Sequence, residues 1–310
     1  MNENSRLHTS SNLRNILLSE IGIGISANSI LLLFHILKFF GGHRPNPTDL
    51  PIGLLALIHL LMLLVMVVTA TDIFISWQGW DDITCKFLVY FYRVFRGLSL
   101  CTTSLLSVLQ AFILSPRSSC LAKFKQKSPY HMLCALLLLS IFYMFISSHL
   151  LVSIIATPNL TLNNFMFVTQ SCSILPMSYL MRSTFSTLLA LREAFLISLM
   201  ALSSGYMLTL LCRHKKLSGH LHSTSLSPTA SPEIRASRTI LLLLSFFVLM
   251  SILDSIVSCS RTMFLDDSTF YYIQLFMVHI YATVSPFVFM STEKHIGNLL
   301  RSMFNGIINV

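Results

Sequence analysis

Two arginines, Arg93 and Arg96, stand inside an apolar stretch at 86 to 114 that is long enough to cross a bilayer. A charge at the centre of such a stretch costs about 2.5–3.5 kcal/mol on insertion scales, so it faces protein or water. Counted along a helix at about 100° per residue, Tyr92, Arg96, Ser99, Thr103 and Gln110 fall within about 40° of the Cys85 direction. That is one polar stripe. Arg96 lies about 16 Å below Cys85, near the middle of a roughly 30 Å core, with Arg93 about a turn higher. The carboxylates at comparable depth are Glu193 and Asp254, with His279 and Tyr281 as neutral partners. This set fits two uses: ion pairs that join helices, or the polar floor of a cavity for a small ligand. Tyr92, Arg93, Arg96, Glu193, Asp254, His279 and Tyr281 are therefore the candidate ligand-binding residues.

Turnover has no foothold. No HExxH, GxSxG or P-loop pattern is present, and the eleven histidines are scattered without the spacing of a helical metal pair. No catalytic residue, metal or cofactor is expected. Gly22-Ile23-Gly24-Ile25-Ser26-Ala27 fits a dinucleotide fingerprint by letter, but no strand precedes it. Small residues packing helices closely are the better account. Asn28 reads as an interhelical hydrogen bond.

Seven apolar stretches must position these residues, at about 16–39, 49–72, 86–114, 131–155, 187–211, 238–259 and 269–291. Charged residues are 11% of the chain, where a soluble domain carries about 25%. The expected fold is an all-α membrane protein: one domain over 1–310, a seven-transmembrane helix bundle. After the last span, Ile296, Leu299, Leu300, Met303, Phe304 and Ile307 recur at helical spacing, which predicts a short amphipathic helix over 294–308 lying on the membrane. No signal-peptide pattern precedes the first span, which is expected to act as its own insertion signal.

Basic residues set the orientation. The segments after spans 1, 3, 5 and 7 hold 13 of the 21 Lys and Arg and the opposite segments hold 4, which predicts an extracellular N-terminus and a cytoplasmic C-terminus. The +9 net charge is then a topology signal with anionic lipid as its partner, and nucleic acid is not expected. Of the seven cysteines, Cys85 and Cys172 are the two on the oxidising side, so they are expected to pair. Asn159-Leu160-Thr161 is a glycosylation sequon on that same side. The Ser- and Thr-rich run from His220 to Pro232 reads as a flexible cytoplasmic loop.

The run from Arg96 to Ala111, continuing through Ser115-Pro116-Arg117 to Phe124-Lys125, resembles the third span and second cytoplasmic loop of vomeronasal type-1 receptors. His222 to Pro228, Ala230 to Glu233, and Thr283-Val284-Ser285-Pro286-Phe287-Val288 are similar to that family as well. The resemblance implies a chemosensory G-protein-coupled receptor in the plasma membrane of vomeronasal sensory neurons. Its ligand would be a pheromone or other small semiochemical, and its partner a Gi/Go-type G protein. Gln110, Arg117, Lys123, Lys125, Arg213, Lys215 and Lys216 form the candidate coupling face. The chain departs from the wider rhodopsin-like pattern: Leu109-Gln110-Ala111 stands where Asp-Arg-Tyr would end span 3, and span 6 has no proline. The rival readings are a bitter-taste-like receptor, disfavoured by the span 3 run, and a small transporter or channel. No paired broken helices support the latter.

Overall fold

In the computed structural model the described residues are 3–41, 48–75, 80–116, 129–156, 166–167, 171–174, 178–221, 241–253 and 268–292. They form α1 (Glu3–Phe40), α2 (Asp49–Ile75), α3 (Asp82–Leu114), α4 (Pro129–Ser147), the single turn α5 (Leu150–Ser153), α6 (Tyr179–Leu221), α7 (Leu241–Leu253) and α8 (Ser268–Thr292). Three short strands complete them: β1 (Ile154–Ala156), β2 (Met166–Phe167) and β3 (Cys172–Ile174). The fold is that of an all-α membrane protein. Stretches of α1, α2, α3 and α6 are long and apolar enough to cross a bilayer. The 25 residues of α8 reach about 37 Å.

Large apolar side chains such as Leu137, Phe145, Leu191 and Leu202 point outward, as they do when lipid is the solvent. α3 lies at the centre, with 61% of its apolar window buried against 28% for α6. It touches α2, α4, α6 and β1. Two apolar clusters hold the bundle around it. One joins Leu31, Leu55, Leu100, Met200, Leu243 and Phe289; the other joins Ile21, Leu63, Met66 and Ala282.

The helices differ from the expected spans at their ends. α6 extends beyond 187–211 on both sides. The fourth span was expected to stay helical to 155, but α4 stops at Ser147, the single turn α5 follows over Leu150–Ser153, and the chain leaves as β1 from Ile154. Extended backbone wins there because each residue of β1 finds a partner: Ile154 pairs with Ile174, and Ala156 with Cys172, in an antiparallel sheet of order β1-β3-β2. Ile154 and Ile155, β-branched, suit that geometry. Asp254, Asn159, Arg117, Lys123, Lys125, the remainder of span 6 and the amphipathic segment 294–308 lie outside the described residues.

Candidate functional site

One end of α3 is fastened in three ways. Asp81 caps it, its carboxylate accepting from the Thr84 N–H at 3.2 Å; hydrogen bonds from the Thr84 side chain and then from its N–H hold Asp81 below the usual carboxylate range. Asp82 accepts from the Ala156 N–H at 2.6 Å, tying α3 to the small sheet. Cys85 and Cys172 form a disulfide with Cα atoms 5.6 Å apart across 87 residues of sequence. Both cysteines are fully buried, with Leu150 and Ile154 packed around them. The sheet thus sits directly on the end of α3.

Below it the polar stripe makes contact with α8. The rings of Tyr92 and His279 stand 5.6 Å apart at a 39° tilt, and His279 is fully buried. Arg96 is half-buried one turn further along the same face, and Arg93 is half-buried beside it. Deeper, the hydroxyls of Thr103 and Tyr281 lie 3.5 Å apart, and Tyr281 packs its ring on Phe247 at 4.1 Å. Five of the proposed residues, Tyr92, Arg93, Arg96, His279 and Tyr281, therefore lie on the facing helices α3 and α8. Glu193 lies on α6, and its ion pair among the described residues is with its neighbour Arg192, at 3.9 Å.

At the level of Ser99 the stripe becomes a three-helix node. His59 on α2 is fully buried; its Nε2 lies 2.7 Å from Ser99 Oγ and its Nδ1 3.1 Å from Ser285 Oγ. An imidazole with one N–H donates to one hydroxyl and accepts from the other, so both bonds are satisfied in either tautomer. Tyr281 meets the same ring edge-on at 5.4 Å. Beside the node Asn28 donates to the carbonyls of Gly24 at 2.8 Å and Ala282 at 2.9 Å, the interhelical bond expected of it. Gly24 permits this approach, because a Cβ there would come within 2.7 Å of Thr283 Oγ1 and 2.8 Å of Leu63 Cδ1.

A second charged group faces α3 from the other side. Arg192 on α6 lays its guanidinium on the Tyr143 ring, 3.7 Å from the centroid. Such a contact stabilises by about 2 kcal/mol when desolvated. Tyr143 in turn packs on Gly97, where any Cβ would overlap its ring. All three guanidinium nitrogens are buried without a hydrogen-bond partner among the described residues.

At the far end of α3, Gln110 is 5% exposed, and among the described residues neither its amide nitrogen nor its amide oxygen has a hydrogen-bond partner. Ser115 and Tyr206 hydroxyls meet there at 3.0 Å, joining α3 to α6. Arg213 is exposed on α6, and Lys215 and Lys216 follow it within the same helix. Lys38 and Asp49 close the α1 to α2 connection with a 2.9 Å ion pair.

Reading from the charged residues of span 3 passed over His59, Arg192 and Glu20. Glu20 is a carboxylate in α1 whose two oxygens are buried without a partner among the described residues. The criterion that singled out Asn28, a polar residue inside an apolar run, applies equally to all three.

The model of the vomeronasal organ pheromone receptor family matches residues 11–302. The chain is 73% identical over 310 residues to vomeronasal type-1 receptor 94 of Rattus norvegicus, covering 100% of this chain and 95% of the relative. It is 73% identical over 303 residues to vomeronasal type-1 receptor 51 of Mus musculus, covering 98% and 95%. Vomeronasal type-1 receptor 47 of Mus musculus is 70% identical over 310 residues, the full length of both chains.

Proposed function

The chain belongs to the vomeronasal type-1 receptor family of chemosensory pheromone receptors, and on that premise we propose that it binds a pheromone-like small molecule at the disulfide end of the bundle and activates a Gi/Go-type G protein at the other. The observation that carries this reading is the Tyr92 to His279 contact beneath the sheet-covered end of α3. It supports a polar cavity floor between α3 and α8, with Arg93, Arg96 and Tyr281 on the same two helices. Asp254 and Glu193 remain candidates at comparable depth, Glu193 beside Arg192.

The disulfide end is extracellular in this reading, in keeping with the division of basic residues, and Asn159 carries a glycan there. The coupling face lies at the opposite end: Gln110, Arg117, Lys123, Lys125, Arg213, Lys215 and Lys216. Gln110 supports it through two unused hydrogen-bonding atoms about 37 Å along α3 from Cys85. Agonist raises the population of the coupled state by binding it more tightly than the resting one.

The test is an agonist screen of small organic compounds in cells that carry the receptor and a calcium-reporting G protein. Responses that need the receptor and vanish with pertussis toxin support the reading. Responses that persist with the toxin contradict the Gi/Go assignment, and flux of the same compounds into receptor liposomes without G protein would replace the receptor with a transporter.

A further inference from the structure

Arg192 is a cation prepared for an acceptor that the described residues do not supply. Its side chain is only 10% exposed, and Nε, Nη1 and Nη2 are all buried without a hydrogen bond. Glu193 Oε1, at 3.9 Å from Nη2, is too far to accept one. The guanidinium lies over the Tyr143 ring, its carbon 3.7 Å from the centroid. Tyr143 is itself held by contact with Gly97. A guanidinium stacked by its face keeps its N–H groups at its edge, where a planar oxyanion bonds them two at a time.

The surroundings suit an amphipathic guest. Gly97 lies about 18 Å along α3 from Cys85, which puts Arg192 at the depth of the proposed cavity floor. Toward the disulfide end, Tyr90, Val94, Leu189 and Leu151 pack with Tyr143 as an apolar cluster. Leu189 is one helical turn from Arg192 on that side.

We propose that Arg192 anchors the carboxylate of a small organic acid, whose apolar body displaces Leu189 and rests on Tyr90 and Val94. This rests on the reading of the chain as a ligand-controlled receptor and adds, on the α4 and α6 side of α3, an anion subsite at the depth of the Tyr92 to His279 floor, with the residue that selects the ligand class. Binding completes the hydrogen bonding of the buried guanidinium, so the acid is favoured over an uncharged analogue of the same skeleton.

The test uses the full-length receptor in cells, wild type, Arg192→Lys and Arg192→Gln, with surface level measured by an epitope tag. The probes are straight-chain and phenyl-substituted carboxylic acids of about six to twelve carbons, each matched with its methyl ester, because arginine bonds a carboxylate bidentately and an ester does not offer that pair of oxygens. Thermal stabilisation of receptor in membranes is read beside signalling, so that silent binders count. Wild type should prefer the acid by about tenfold or more. Arg192→Gln should bring acid and ester to parity, and Arg192→Lys, which keeps the charge and loses the fork, should fall between.

Absence of acid preference in wild type overturns the proposal, and so does a preference that survives Arg192→Gln. Should Arg192→Gln fail to reach the surface, Arg192→Lys decides, and its retention of the wild-type ratio is again contrary. Failure of both variants to reach the surface would make Arg192 a structural residue and overturn the anion site. A receptor that ignores every acid and ester but signals to other compounds loses the anion site alone. One that drives no G protein under any compound loses the underlying reading.

Discussion

His59 on α2 and Ser99 on α3 stand 2.7 Å apart, imidazole nitrogen to hydroxyl, where solvent does not reach. With Ser285 at 3.1 Å on the other nitrogen, one side chain bonds three helices together. His59→Ala strands two buried hydroxyls, at about 1–3 kcal/mol for each group left unsatisfied. Its thermal midpoint in nanodiscs should fall further than that of Ser99→Ala or Ser285→Ala. The His59→Ala/Ser99→Ala double variant should lose less than the sum of the singles, as coupled partners do. Strict additivity would mean that the hydrogen bond contributes nothing.

The disulfide secures the sheet to the end of α3. Loss of a native disulfide commonly costs about 2–5 kcal/mol, so Cys85→Ser and Cys172→Ser should each lower the surface level measured by flow cytometry. The double variant should match the worse single one. Summed losses would show that the two thiols act separately.

The glycines divide into two kinds. A Cβ at Gly97 overlaps the Tyr143 ring, so Gly97→Ala should cost about 1–3 kcal/mol, the usual range for overpacking. At Gly205 a Cβ meets nothing within 4 Å, so Gly205→Ala should leave stability unchanged or raise it by about 0.5–1 kcal/mol. Thermal unfolding of the two variants separates these outcomes, and equal midpoints would contradict the packing described. Tyr143→Val should recover part of the Gly97→Ala loss.

Arg96 sits one turn from Tyr92 on the face that meets His279. As a ligand contact, Arg96→Ala keeps its surface level and loses about tenfold or more in agonist potency, because a hydrogen bond to a charged group is worth about 1.5–3 kcal/mol. Tyr92→Phe and His279→Ala should lower potency by smaller factors. A variant that never reaches the surface would instead mark Arg96 as one half of a structural pair.

Helix positions and the α3 stripe were legible in the sequence because lipid leaves strong marks: long apolar runs, and polar residues permitted only where they face protein. The Cys85 to Cys172 pairing followed from which side each cysteine occupies. The end of α4 was not legible. Leu150 to Ile155 is as apolar as the helix before it, and the turn into β1 is decided by pairing with Cys172 to Ile174, a segment far along the chain. Likewise Arg192 and Glu193 are neighbours in sequence, and helical geometry alone does not say that the first lies on Tyr143. Those are choices of tertiary packing.

The central claim is ligand-controlled coupling to Go by this bundle. Purified full-length receptor in nanodiscs, mixed with Go heterotrimer, should load GTPγS above empty nanodiscs, and at least one compound of a small-molecule library should raise that rate. Gln110→Ala should blunt the rise without changing the binding of that compound. Loading that equals empty nanodiscs with every compound, from receptor that still binds one of them, would contradict the account.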